Sequence, residues 1–99
     1  MRELTKSSRA ELDIFQIWAQ LSVYGYGIAD RAIDLIERRC EVVRQFPFGG
    51  EACPEYGLGM RKFPAGNYVI FYIPLDDCIQ VARVLDGRRD QDRAFWQDY

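Results

Sequence analysis

The stretch Met60–Asp90, MRKFPAGNYVIFYIPLDDCIQVARVLDGRRD, constrains the fold more than any other part of the chain. Three runs rich in β-branched and aromatic residues, Met60–Phe63, Tyr68–Ile73 and Cys78–Leu85, alternate with two turn signals. The turns are Pro64-Ala65-Gly66-Asn67 and Pro74-Leu75-Asp76-Asp77. Short loops between such runs predict a three-stranded antiparallel meander. It ends in the charged segment Gly87-Arg88-Arg89-Asp90.

Upstream of this stretch the period changes from two to that of a helix. Arg2–Lys6 reads as a brief edge strand. Ser7-Ser8 supplies an N-cap, with Ser8 and Glu11 spaced as a capping box. The helix Arg9–Tyr24 follows. Leu12, Phe15, Ala19 and Ser22 form one stripe, with Ile14, Ile17, Trp18 and Leu21 beside it. That face is wider than one packing neighbour covers, and Trp18 is expected in the core. Tyr24-Gly25-Tyr26-Gly27 breaks the helix. A second helix runs from Ile28 to Gln45, with Ala32, Leu35, Ile36, Cys40 and Val43 on its apolar side. Pro47 stops it. Phe46–Gly59, rich in Gly and Pro, leads to the sheet.

The order is therefore α+β, a helical hairpin on a 3–4-stranded antiparallel sheet, in one domain spanning 1–99. In the central strand Tyr68, Ile70 and Tyr72 face one way and Val69, Phe71 and Ile73 the other. In the next strand Ile79, Val81, Arg83 and Leu85 are expected on one face and Gln80, Ala82 and Val84 on the other. One hairpin covers one face only. A protein partner is the expected cover for the second. The alternative is a fold-back of Arg93–Tyr99, which carries Phe95, Trp96 and Tyr99.

Composition narrows the chemistry. The chain has no histidine, which excludes Ser-His and Cys-His nucleophilic catalysis and the commonest zinc ligand. Its three cysteines include no CxxC and read as small hydrophobes in a reducing cytoplasm. A net charge of −2 gives no global sign of nucleic-acid binding. No apolar run reaches the roughly 18 residues that span a membrane. Adjacent Asp76 and Asp77 point apart, so no metal is expected. Arg83, mid-strand among apolar neighbours, needs a buried carboxylate: Asp13, Asp77 or Asp90. Arg88 and Arg89 either pair within their turn, with Asp90, or offer bidentate contacts to a target.

The chain resembles the RelE/ParE superfamily of bacterial type II toxins over almost its whole length. Ser8, Ala10, Asp13, Ile14, Ile17 and Trp18 resemble the family's first helix. Phe46-Pro47 with Gly49 or Gly50 resembles its helix-to-sheet loop. Met60-Arg61-x-Phe63-Pro64-x-Gly66-x-Tyr68-Val69-Ile70-Phe71-Tyr72 and Ile79-x-Val81-x-Arg83-Val84-Leu85-x-Gly87-Arg88-Arg89-Asp90 carry the likeness most specifically. Ile73 and Asp86 depart from it, where the family often has Arg and His. The resemblance implies two functions. RelE-like members are ribosome-dependent mRNA endonucleases, and ParE-like members poison DNA gyrase. The nuclease set wants lysines in the first strand, an Arg directly after the Tyr of the central strand and a Tyr after the last Arg. This chain has Arg61 and Lys62, then Val69, then Phe95; Tyr99 is its late phenol. The implied reading is therefore ParE-like: a gyrase inhibitor without catalytic residues or cofactor, neutralised in a hetero-oligomer with a cognate antitoxin. Direct nucleic-acid contact is expected only of the RelE type. Partner or target contacts are expected at Arg61, Tyr72, Arg83, Arg88, Arg89, Asp90 and Trp96. A third reading is a toxin fold that has lost its activity.

Overall fold

The computed structural model describes residues 2–96. The elements are β1 (Glu3–Lys6), α1 (Ser8–Ser22), α2 (Tyr26–Gln45), β2 (Glu51–Ala52), a 3-10 turn (Pro54–Tyr56), β3 (Arg61–Ala65), β4 (Tyr68–Pro74), β5 (Cys78–Asp86) and α3 (Gln91–Phe95). The predicted meander is β3-β4-β5, and the helical hairpin precedes it as expected. The sheet has five strands in the order β1-β5-β4-β3-β2, one more than the upper expectation. β1 lies parallel to β5, which makes the sheet mixed, and β2 pairs only Glu51 with Lys62 and Ala52 with Arg61. Among the described residues no helix is long and apolar enough to cross a membrane.

Local chemistry places the helix ends. Ser7, not Ser8, caps α1. Its hydroxyl accepts from the Ala10 amide at 3.0 Å and donates to the Ala82 carbonyl at 2.8 Å. Only the earlier serine reaches both, so one side chain caps the helix and ties it to β5. Gly25, at φ +132°, makes the break, a conformation that favours glycine.

Two apolar layers form, one on each face of the sheet. On the helical side Ala10, Ile17, Ile36, Cys40 and Val43 pack on Ile70, Tyr72, Ile79, Val81 and Val84. On the other side Cys53, Tyr56 and Met60 pack with Ala94 and Phe95 over Phe71 and Leu85. The expected partner on this second face is thus replaced by the chain itself. The Phe95 ring lies 5.2 Å from that of Phe71 and 4.8 Å from that of Tyr56. The fold-back is α3 plus the 3-10 turn; Tyr99 lies outside the described residues.

The simple alternation on β5 fails for a definite reason. Phe71 pairs with Arg83 but Tyr72 pairs with Val81, so Ala82 is an extra residue in the ladder. This bulge shifts the phase. Val84 joins Ile79 and Val81 under the helices, while Leu85 goes with Ala82 to the opposite face.

Trp18 is half-buried rather than in the core. Its indole N–H donates to Asp30 at 2.9 Å, and its ring stacks on Tyr26 at 5.7 Å, clamping α1 to α2. Phe15 is 64% exposed, so neither the second helix nor the sheet covers the whole width of the apolar face.

Candidate functional site

The bulge aims Arg83 at Asp13. Nε and Nη2 donate to the two carboxylate oxygens of Asp13 at 2.8 and 2.9 Å. Nη1 donates to the Ala94 and Phe95 carbonyls at 3.2 and 2.7 Å. Asp13 also accepts from the Val84 amide at 3.0 Å. Both residues are 4% exposed. Of the three carboxylates predicted as partners, the fold selects Asp13. Arg83 thus joins α1, β5 and α3; its guanidinium is taken up within the fold, and it reaches the surface only at the edge of the cavity beside Trp96.

This node holds the C-terminal surface in place. Asp86 takes Arg88 in a two-pronged ion pair, Nε at 3.0 Å and Nη2 at 2.9 Å. Those hydrogen bonds hold the Asp86 carboxyl below its ordinary range. The internal pairing expected for the turn therefore exists, but with Asp86 instead of Asp90. Asp90 caps α3, accepting from the Arg93 amide at 3.3 Å. With Asp86 occupied and Asp90 turned to backbone, no carboxylate among the described residues pairs with Arg89 or Arg93. Both are exposed, and together with Asp90 and Ala94 they line a cavity of about 360 Å³. Arg89 also lines a smaller cavity with Gln16, Tyr68 and Asp86. Trp96 is 62% exposed. It packs edge-on against Phe95 at 4.9 Å and borders a cavity of about 330 Å³ with Ser7, Arg9 and Gln80.

Arg61 and Tyr72 belong to the opposite end of the sheet. Arg61 pairs with Tyr72 across β3-β4, whereas Asp86, just before the arginine turn, pairs with Tyr68. The two positions lie four residues apart on β4, about 13 Å along the strand. Arg61 and Lys62 are therefore not gathered with Arg89. Tyr72 is fully buried: its hydroxyl donates to the Pro47 carbonyl at 2.9 Å and accepts from the Gly50 amide at 3.0 Å. Burial raises its pKa. Its expected role as a partner contact is corrected to that of a pin for the loop before β2.

Proton-transfer chemistry finds little support in the groups whose titration is displaced. Burial pushes the Cys40 thiol up to about 11 and the Cys53 thiol upward as well. Tyr56 donates to Asp92, and that bond together with burial raises the phenol to about 12. Each shift moves the group away from neutrality, where a general base is most effective. Asp76 and Asp77 gather no third ligand, since no group of three or more His, Cys, Asp or Glu among the described residues is placed to hold a metal. The exposed guanidinium groups of Arg89 and Arg93 are suited to carboxylate or phosphate.

Sequence reasoning passed over Arg93, whose helical spacing from Arg89 was a usable signal. It also passed over Asp86-x-Arg88, a local pair readable in the turn.

Residues 4–91 match the family described as the ParE toxin of the type II toxin-antitoxin system, parDE. No curated protein sequence matches the chain. Among solved structures, a chain of the chromosomal ParDE toxin-antitoxin system from P. aeruginosa is 20% identical and superposes with a TM-score of 0.75. The match covers 87% of this chain and 96% of that one. At that identity the likeness is one of fold.

Proposed function

We infer function from one premise: this chain belongs to the ParE toxin family of type II toxin-antitoxin systems. We propose that it acts by binding, inhibits DNA gyrase, and is held inactive by a cognate antitoxin. One observation carries the choice of binding over RNA cleavage. Arg61 and Lys62 stand at one end of β3-β4, and Arg89 stands beyond the other. Cleavage of a phosphodiester needs acid, base and cations converging on one phosphate within hydrogen-bond reach. A binding surface has no such requirement. Arg89, Arg93 and Trp96, with Arg88 and Asp90 shaping the turn and cap, are the proposed target contact.

Two features support an antitoxin partner. α1 leaves Phe15 exposed beside half-buried Leu12 and Ala19, a stripe suited to an amphipathic helix. β1 and β2 are the sheet's edges, where an extended segment can add as a strand.

The test is gyrase supercoiling with purified protein. Supercoiling is expected to fail, with cleaved DNA accumulating, and the Arg89→Ala/Arg93→Ala variant is expected to need at least about tenfold more protein. Normal supercoiling at saturating protein rejects gyrase as the target. On induction without antitoxin, mRNA is expected to stay intact during growth arrest; A-site cleavage would establish the nuclease reading instead.

A further inference from the structure

We propose that the loop of residues 46–50, with Arg2 and Arg61, is a docking site for an acidic peptide segment carrying an apolar anchor side chain. The site lies at the end of the sheet remote from Arg89 and does not depend on the gyrase reading.

Phe46 and Phe48 are 64% and 62% exposed, yet the loop that carries them is firmly held. Tyr72 bonds both Pro47 and Gly50 from inside the core. Arg61 Nη1 donates to the Phe48 and Gly50 carbonyls at 3.2 and 2.7 Å. The Gly49 amide closes the turn on the Phe46 carbonyl at 2.9 Å. A loop fixed by the fold need not be ordered at binding, and this preorganisation raises affinity.

The chemistry of the surface selects its partner. Beside the two rings lies an apolar cavity of about 370 Å³, walled by residues 45–49. An enclosed cavity of about 150 Å³ already holds benzene, so an aliphatic or aromatic side chain fits this open one. The guanidinium carbons of Arg2 and Arg61 lie over the Phe48 ring, 5.6 and 5.3 Å from its centre. Arg2 also donates to the Leu75 carbonyl at 2.7 Å. Among the described residues no carboxylate pairs with either arginine, although neighbouring Arg44 and Lys62 are paired, with Glu41 and Glu51. In a chain of net charge −2 this is a local inversion of sign around an apolar depression. Carboxylates flanking an apolar anchor complement it, and buried aromatic and Arg contacts dominate such interfaces. A nucleic acid fits less well. Bases bind by stacking on open ring faces, and here guanidinium groups already lie over Phe48.

The test is selection of random 12-residue displayed peptides on the whole protein. Enriched peptides are expected to carry an apolar residue flanked by Asp or Glu and to shift the amide NMR signals of residues 46–50. Affinity is expected to fall at least about tenfold with Phe46→Ser and with Arg2→Glu, and to be unchanged with Arg31→Glu, exposed near the far end of α2. Arg61 is left intact because it holds the loop, and circular dichroism checks that each variant folds. Absence of enrichment, enrichment of basic sequences, or binding insensitive to Phe46→Ser overturns the proposal. So does a 12-nucleotide oligothymidylate that perturbs the same amides more tightly than the selected peptides.

Discussion

Replacing Arg83 with Met tests whether one buried ion pair assembles three elements. The substitution keeps much of the side chain's volume but removes the cation from Asp13 and the donor from two α3 carbonyls. Breaking a buried pair from one side costs about 3–5 kcal/mol. A domain of this size has about 5–15 kcal/mol in all. At roughly 4–8 °C per kcal/mol for 60–100 residues, Tm falls by at least about 12 °C. Urea unfolding followed by circular dichroism gives the free energy directly. The control is Asp13→Leu combined with Arg83→Met, because exchanging a whole buried pair for apolar groups is often neutral or stabilising. The double variant is expected to regain most of the loss. A cost under about 1 kcal/mol for Arg83→Met, or a double variant no better than the single, refutes the argument.

Two further outcomes follow from the geometry. In Gly50→Ala the new methyl group would sit 2.8 Å from the Lys62 carbonyl oxygen and closer still to the Tyr72 hydroxyl. Overpacking of this kind costs about 1–3 kcal/mol, and an unchanged urea midpoint would mean that the loop is not pinned as described. Tyr56 is neutral in the fold, with its pKa raised to about 12 by the bond to Asp92 and by burial. Its contribution is therefore complete below the unfolded value near 10 and is lost as pH rises through 12. Asp92 is exposed, so the interaction is set at about 1 kcal/mol. Tyr56→Phe should cost that much at neutral pH, and the gap to wild type should close between pH 10 and 12; a gap constant across that window contradicts the linkage.

The meander and the hairpin were legible because they rest on local chemistry. Turn residues, a period of two and a period near 3.6 are all written in short windows. β4 ends at Pro74 and β5 at Asp86, within a residue of expectation. The features that escaped depend on distant groups. The bulge at Ala82 was hidden because the pair it accompanies, Arg83 with Asp13, joins residues 70 apart in the chain. The cover of the second face was legible in part: the fold-back of Arg93–Tyr99 stood as the alternative to a partner, whereas Cys53 and Tyr56 come from a segment whose own pattern is too short to show periodicity. Trp18 looked like core because apolarity does not reveal that an indole N–H has a carboxylate across the hairpin, at Asp30.

The site calls for a different kind of reading, because charge spacing along a chain says little about convergence. Arg61 and Arg89 both flank β-strands and look equivalent as cations. The register of β4 decides between them: about 13 Å of hydrogen-bonded strand lies between the residues opposite Arg61 and Asp86. A flexible side chain does not close such a gap, and moving the strands would break the ladder that joins them. Catalysis requires convergence and recognition does not. The same separation that weakens a nuclease site therefore gives the molecule two arginine-bearing ends, each with its own aromatic group, Trp96 at one and Phe48 at the other. Asp86 sharpens the first end. By engaging Arg88 it leaves Arg89 available, so a residue that departs from the family pattern shapes the surface on which the proposed target contact rests.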